Sequence, residues 1–354
     1  MINTSTSQTH YSSSEDSTLL HLAAKNCDPY LLAFLLSNNL IDINATGRGG
    51  KTPLHYAAES GSVECMKLLL AHKDINVNAL TLDNCTPLFL AVSHNHPDCV
   101  KALLSYASVN VNLPNRYGNT PLHYAADNGL IECLGLLLRH DEINVNAKTK
   151  WDDIPLLLAV ERGHPECVRA LLKHKKIDLT LGYENQFHPI HFASAGGLIA
   201  TVKDLLKDSN TNVNAQTGHK HMCLTPLHVA CLNGQSECVR ELLAQKEINP
   251  NITDSSESAP LSLAVKKNNI DCVNLLLSNT NVNVNLQDIN GMTALHWAAQ
   301  KGHIDCIKLL LAHKDINVNI LNNEGKTPFA LAERCAVLIK RTVIAAFNNY
   351  GVTQ

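Results

Sequence analysis

Charge is scarce in this chain: Asp, Glu, Lys and Arg make up 17% of its 354 residues, against about 25% in an ordinary globular domain. The net charge of −3 and the pI of about 6.6 leave no basic field, which excludes electrostatic capture of nucleic acid or of an anionic lipid surface. Aromatic residues are few as well, at 5% with two tryptophans. Nowhere do 18 apolar residues run together, and the opening "MINTSTSQTHYSSSED" is polar without an apolar h-region. Membrane-span and secretory-signal readings both fail, and a soluble chain is expected. Gly-rich phosphate loops, HExxH and GxSxG are also missing, which argues against an enzyme and against any cofactor.

What the chain does contain is a period. "TPLHYAA" at Thr52 is followed by "TPLFLAV" at Thr86, "TPLHYAA" at Thr120, "IPLLLAV" at Ile154 and "HPIHFAS" at His188, each 34 residues after the last. One step of 37 leads to "TPLHVAC" at Thr225, after which "APLSLAV" at Ala259, "TALHWAA" at Thr293 and "TPFALAE" at Thr327 return to 34. "TLLHLAA" at Thr18 precedes them all, which makes ten repeats. They are expected to start near 14, 48, 82, 116, 150, 184, 221, 255, 289 and 323, as one array over 15–345 with a polar head (1–14) and a short tail (346–354). The alternation of His-type and non-His-type motifs suggests growth by copying a 68-residue pair, with a seam where the His188 and Thr225 repeats meet.

Each repeat has the same physical logic. Thr52 can cap a helix, Pro53 at its first position gives up no bond, and Gly61 stops it. "SVECMKLLLAH" then places Val63, Met66, Leu69 and Leu70 on one face of a second, antiparallel helix. An Asn- and Gly-rich hairpin follows before the next Thr. No such pair buries its apolar face alone, so neighbours must stack.

T-P-L-H, two short helices and an Asn-rich hairpin together resemble the ankyrin repeat family over essentially the whole chain. The resemblance implies an all-α solenoid with projecting β-hairpin fingers, used to bind proteins without catalysing a reaction. Asn-rich "HKDINVN" repeats look like those of ankyrin proteins from intracellular bacteria and protists, which implies an effector working in a host cytosol.

Twelve cysteines need a home. Cys65, Cys99, Cys133, Cys167, Cys238, Cys272 and Cys306 share one register of the second helix, which Leu31 and Thr201 fill elsewhere. A position shared with leucine is a core position, and stacked repeats about 10 Å apart are too far for disulfides. Buried free thiols point to a reducing, cytoplasmic compartment. His21, His55, His123, His191, His228 and His296 recur in the motif, where the ring is expected to tie finger backbone to helix start. "TGHKHMC" (217–223) is a finger enlarged by three residues, whose use is reach toward a partner or, alternatively, metal binding through His219, His221 and Cys223.

A protein partner of a monomeric chain is therefore expected to meet the central fingers and first helices. The candidate contacts are Arg116, Tyr117, Lys150, Trp151, Glu161, Arg162, Phe187, His219, His221 and Met222, a mixture of aromatic, Arg and Met residues typical of hot spots. Two readings stand for Trp151: partner anchor, or packing on the neighbouring finger. Trp297 shares its register with Tyr56, Tyr124 and Phe192 and is expected inside.

Overall fold

A computed structural model of the protein describes residues 18–37, 41–182, 186–218, 222–332 and 337–352. It is all-helical: twenty α-helices in ten pairs, with no strand among the described residues. Contacts divide the chain into two compact bodies, one ending at Ile177 and the other beginning at Asp178. In the first body Pro53–Ser60 packs between Leu19–Lys25 and Pro87–Ser93, and Val63–Leu70 packs between Pro29–Leu36 and Pro97–Leu104. The second body repeats the plan, with Pro260–Lys266 between Pro226–Leu232 and Ala294–Lys301.

The motif histidine explains why each first helix begins where it does. In Thr120-Pro-Leu-His123, the Thr120 hydroxyl accepts from the His123 backbone N–H at 3.4 Å and lies 2.8 Å from its Nδ1. That ring nitrogen also accepts from the Thr120 N–H at 3.1 Å, so it carries no proton. Nε2 then donates to the Asp153 carbonyl, 30 residues on, at 3.1 Å. His55, His228 and His296 make the same reach to Cys85, Ser258 and Lys326. One neutral ring thus fastens a helix start to the base of the next finger, as expected from its position. Burial favours that neutral form and lowers the pKa of His55, His191 and His228 to about 4.

A second set of ties runs along the turns after the second helices. Asn78 donates its amide to the Ser108 carbonyl at 2.7 Å while its oxygen accepts from the Asn110 N–H at 2.8 Å. Asn44 and Asn112 in the first body, and Asn214, Asn251 and Asn285 in the second, make the same two-point clamp on the following repeat. Thr180 holds this place in "IDLTL" and bonds locally to Asp178 instead.

The fingers are tighter than hairpins of paired strands. Most close with a backbone bond across five residues and a second one inside it, such as Thr81 N–H to Cys85 at 3.0 Å around Asn84 N–H to Thr81 at 2.9 Å, too short a loop to form a ladder; the enlarged finger closes from Thr217 N–H to Leu224 at 2.9 Å. Adjacent tips bond instead to each other, Leu82 N–H to Gly49 at 2.9 Å and Arg116 N–H to Asp83 at 2.9 Å.

Cys65, Cys99, Cys133, Cys167, Cys238, Cys272 and Cys306 lie in the core at 0–1% exposure, together with Cys231. Burial pushes six of these thiols, from Cys99 to Cys306, up to about 11. Cys27 is exposed, while Cys85 and Cys223 are half-buried. Alkylation of the native protein at neutral pH is therefore expected to modify Cys27 first, and the eight buried thiols only on unfolding. Mass spectrometry of a timed iodoacetamide reaction checks this; a buried thiol labelled as fast as Cys27 would contradict the packing.

Two regions pack less well. The sixth repeat, at the expected seam, has a partly open cavity of about 140 Å³ lined by Leu179, His188, Ile190 and Leu205 among others. The first repeat leaves Leu19, Tyr30 and Phe34 at 62%, 88% and 74% exposure. Tyr30 sits where seven of the next eight repeats carry Asp or Glu, so this end lacks the polar outer face of a usual cap.

Candidate interaction surface

Finger tips in the first body form a row because each tip bonds to the one before. Leu82 and Asp83, then Arg116 and Tyr117, then Lys150 and Trp151 follow one another, the last step closed by Lys150 N–H to the Tyr117 carbonyl at 3.3 Å. Gly118 makes this approach possible: its φ is +88°, and a Cβ there would stand 2.7 Å from Lys150 N. The side chains continue the row. Arg116 pairs with Asp83 at 2.7 Å, lies 4.6 Å from the centre of the Tyr117 ring and bonds the Tyr117 hydroxyl. Tyr117 in turn stacks on Trp151 with ring centres 6.0 Å apart and planes 22° apart.

Stacking does not bury these groups. Trp151 remains 60% exposed, Tyr117 42% and Leu82 81%. One face of the Trp151 ring thus meets the neighbouring finger while most of the side chain stays in solvent. A stacked, ion-paired row of this kind is pre-organised, so little rotamer freedom remains to be lost on binding.

Below the fingers, Arg162 Nε pairs with Asp127 at 2.8 Å, and Glu161 is exposed beside it. Lys51 pairs with Glu59 at 2.7 Å. In the second body Lys266 reaches Asp288 at 3.3 Å and Ser258 at 2.8 Å, and lies 4.2 Å from the centre of the Trp297 ring. Glu59, Asp127, Arg162 and Lys266 are thus paired locally.

The remaining candidates lie in the second body. Phe187 is half-buried, with its ring 4.9 Å from Phe192 and 5.1 Å from His191, and packs on a cluster of Leu224, Val229 and Leu263. Its position in the finger row did not announce this inward turn. Met222 is 46% exposed at its tip, and its carbonyl accepts from Ser255 N–H at 2.8 Å. His219 and His221 lie outside the described residues. Among the described residues no three His, Cys, Asp or Glu side chains converge as metal ligands, and no helix is long and apolar enough to cross a membrane. Leu82 was not among the expected contacts, although its place four residues before Thr86 puts it in the same finger row.

Comparison with known proteins follows this geometry. No curated protein matches the chain. Among solved structures, the ankyrin repeat domain of Bcl-3, described as a unique member of the IkappaB protein family, aligns with a TM-score of 0.58 at 26% identity, covering 65% of this chain and 99% of that one. The human ASB11 ankyrin repeat domain aligns at 0.50 and 25% identity, over 60% and 92%. EF0377, an ankyrin repeat protein, aligns at 0.50 and 21%, over 53% and 96%. The family model described as ankyrin repeats (3 copies) matches residues 3–81, 73–149, 144–217, 190–288 and 261–341. Ankyrin repeats are in general non-catalytic modules for protein–protein interaction. With family matches running from residue 3 to 341, this chain belongs to the ankyrin repeat family.

Proposed function

We propose that the protein is a non-enzymatic adaptor that captures a protein partner through the finger row Leu82, Arg116, Tyr117, Lys150 and Trp151, with Glu161 and Arg162 on the helices below. The observation that carries this reading is the stacked Tyr117–Trp151 pair, which leaves Trp151 60% exposed. A pair of large aromatic rings held rigid yet open to solvent is costly to display without a use, and Trp, Tyr and Arg dominate binding hot spots. Eight buried free thiols support work in a reducing compartment such as the cytosol. Delivery into a host cell as an effector rests on the style of the Asn-rich repeats alone.

Affinity capture from lysate tests the surface. Tyr117→Ala with Trp151→Ala is expected to weaken retention of the specifically bound proteins about a thousandfold, since each hot-spot truncation costs about 2 kcal/mol or more and about 1.4 kcal/mol is tenfold. The melting temperature should change little, because both rings sit at the tips. An unchanged set of captured proteins at unchanged yield would rule this surface out.

A further inference from the structure

Asp254 and Asp288 occupy the same finger position, 34 residues apart. Both use one carboxylate oxygen to hold the finger turn: Oδ1 of Asp254 accepts from the Ser256 and Ser258 N–H groups at 2.8 and 2.9 Å. Oδ1 of Asp288 does the same for Asn290 and Met292, at 3.0 Å each. Their second oxygens differ. Oδ2 of Asp288 accepts from Trp297 Nε1 at 2.8 Å and from Lys266 Nζ at 3.3 Å. Oδ2 of Asp254 is buried with no hydrogen-bond partner, in a residue only 5% exposed.

The repeat register shows what is missing. One period before Lys266, Trp297 and Ser258 stand Leu232, Leu263 and Leu224. These three leucines, with Val229, Phe187 and Ala195, form an apolar cluster where the following repeat has a polar one. The carboxylate is present in both repeats, while leucines stand where the following repeat has its donors. A buried, unpaired carboxylate oxygen has lost its hydration without gaining a partner, and that cost persists until a donor arrives.

We propose that this place in the second body receives a lysine or arginine of a protein partner, its cation on Asp254 Oδ2 and its methylene stem on Leu232 and Leu263. The guest does from outside what Lys266 does within the neighbouring repeat. Leu232 is the last residue of its helix and only half-buried, so it is the side chain that yields to the guest. Met222, on the adjacent tip, offers an apolar wall, and the preferred segment carries apolar residues beside its cation. The inference rests on the protein-binding reading above but concerns a separate surface, so its test uses small probes and needs no captured partner.

The probe is n-butylguanidinium, titrated into the full chain while the leucine methyl resonances of residues 232 and 263 are followed by NMR, with n-butanol as the neutral comparison. The expected result is a saturable shift with the cation, weakened about tenfold or more by Asp254→Asn, a change equivalent to losing one charge-assisted hydrogen bond. Asn keeps an oxygen for the Ser256 and Ser258 N–H groups, so the finger should stay closed. A second variant, Leu232→Lys, supplies the missing donor from within and should raise the melting temperature while abolishing cation binding; in the Asp254→Asn background it should give no such rise. The proposal is overturned by no saturable shift in the wild type, by equal binding of n-butanol, by unchanged cation affinity in Asp254→Asn, or by a fall in melting temperature on Leu232→Lys.

Discussion

Lowering the pH from 7 to 5 is expected to destabilise the protein by about 6 kcal/mol, before most carboxylates begin to titrate. The cause is the motif histidines. Burial lowers His55, His191 and His228 from 6.5 to about 4 in the folded chain, and lowers His21, His123 and His296 in the same direction. A depressed histidine pKa means that the unfolded chain binds protons more readily than the folded one. The stabilisation is therefore complete above 6.5 and is lost as the pH falls from 6.5 toward 4. At pH 5 each of the three strongly shifted rings contributes about 2 kcal/mol to the loss, on the basis of about 1.36 kcal/mol per pH unit. That is a large part of the 5–15 kcal/mol that holds a typical domain together. The geometry agrees with the sign, since a proton on Nδ1 would face the Thr N–H that this nitrogen accepts. Urea titrations at pH 7 and pH 5 would measure the effect, and identical midpoints would contradict it.

Gly118→Ala is expected to cost about 3 kcal/mol and to abolish partner capture, whereas Gly49→Ala should cost about 1 kcal/mol or less. Both glycines have left-handed backbone, with φ of +88° and +72°. The difference is the neighbour. A Cβ at Gly49 meets nothing within 4 Å, while one at Gly118 stands 2.7 Å from Lys150 N and 3.1 Å from the Thr149 backbone. Those atoms belong to the next finger, and backbone cannot rotate away as a side chain can. The tips must part, the Lys150 N–H to Tyr117 bond must break, and Tyr117 must leave Trp151. Thermal melts of the two variants, with capture in parallel, separate strain from function. Equal stability losses, or retained capture by Gly118→Ala, would show that the tips do not depend on this contact.

Much of the fold could be read from spacing alone. The Thr-Pro start, the His in fourth place and the shared cysteine register are local signals, each repeated often enough to reveal its role. Other features needed coordinates because they join residues more than thirty positions apart. Arg116 with Asp83 and Arg162 with Asp127 span 33 and 35 residues, and no local pattern pairs them. Phe187 reads as a finger residue, yet its ring turns inward onto Phe192 because the cluster of Leu224, Val229 and Leu263 offers it apolar cover. The fingers read as hairpins by composition, but most close over five residues and leave no length for strands. Leu82 was legible in principle, since it keeps the same distance from its motif Thr as Arg116 does from Thr120.

The asparagine clamps have a consequence for heredity. Each joins only adjacent copies and always through the same pair of amide atoms, and the series breaks where Thr180 stands in place of Asn. A gene that gains or drops one whole module hands every surviving amide a neighbour of unchanged shape. Reach can therefore vary between generations without relearning how to fold, while the identity of what is held is written separately, in tips that no clamp constrains.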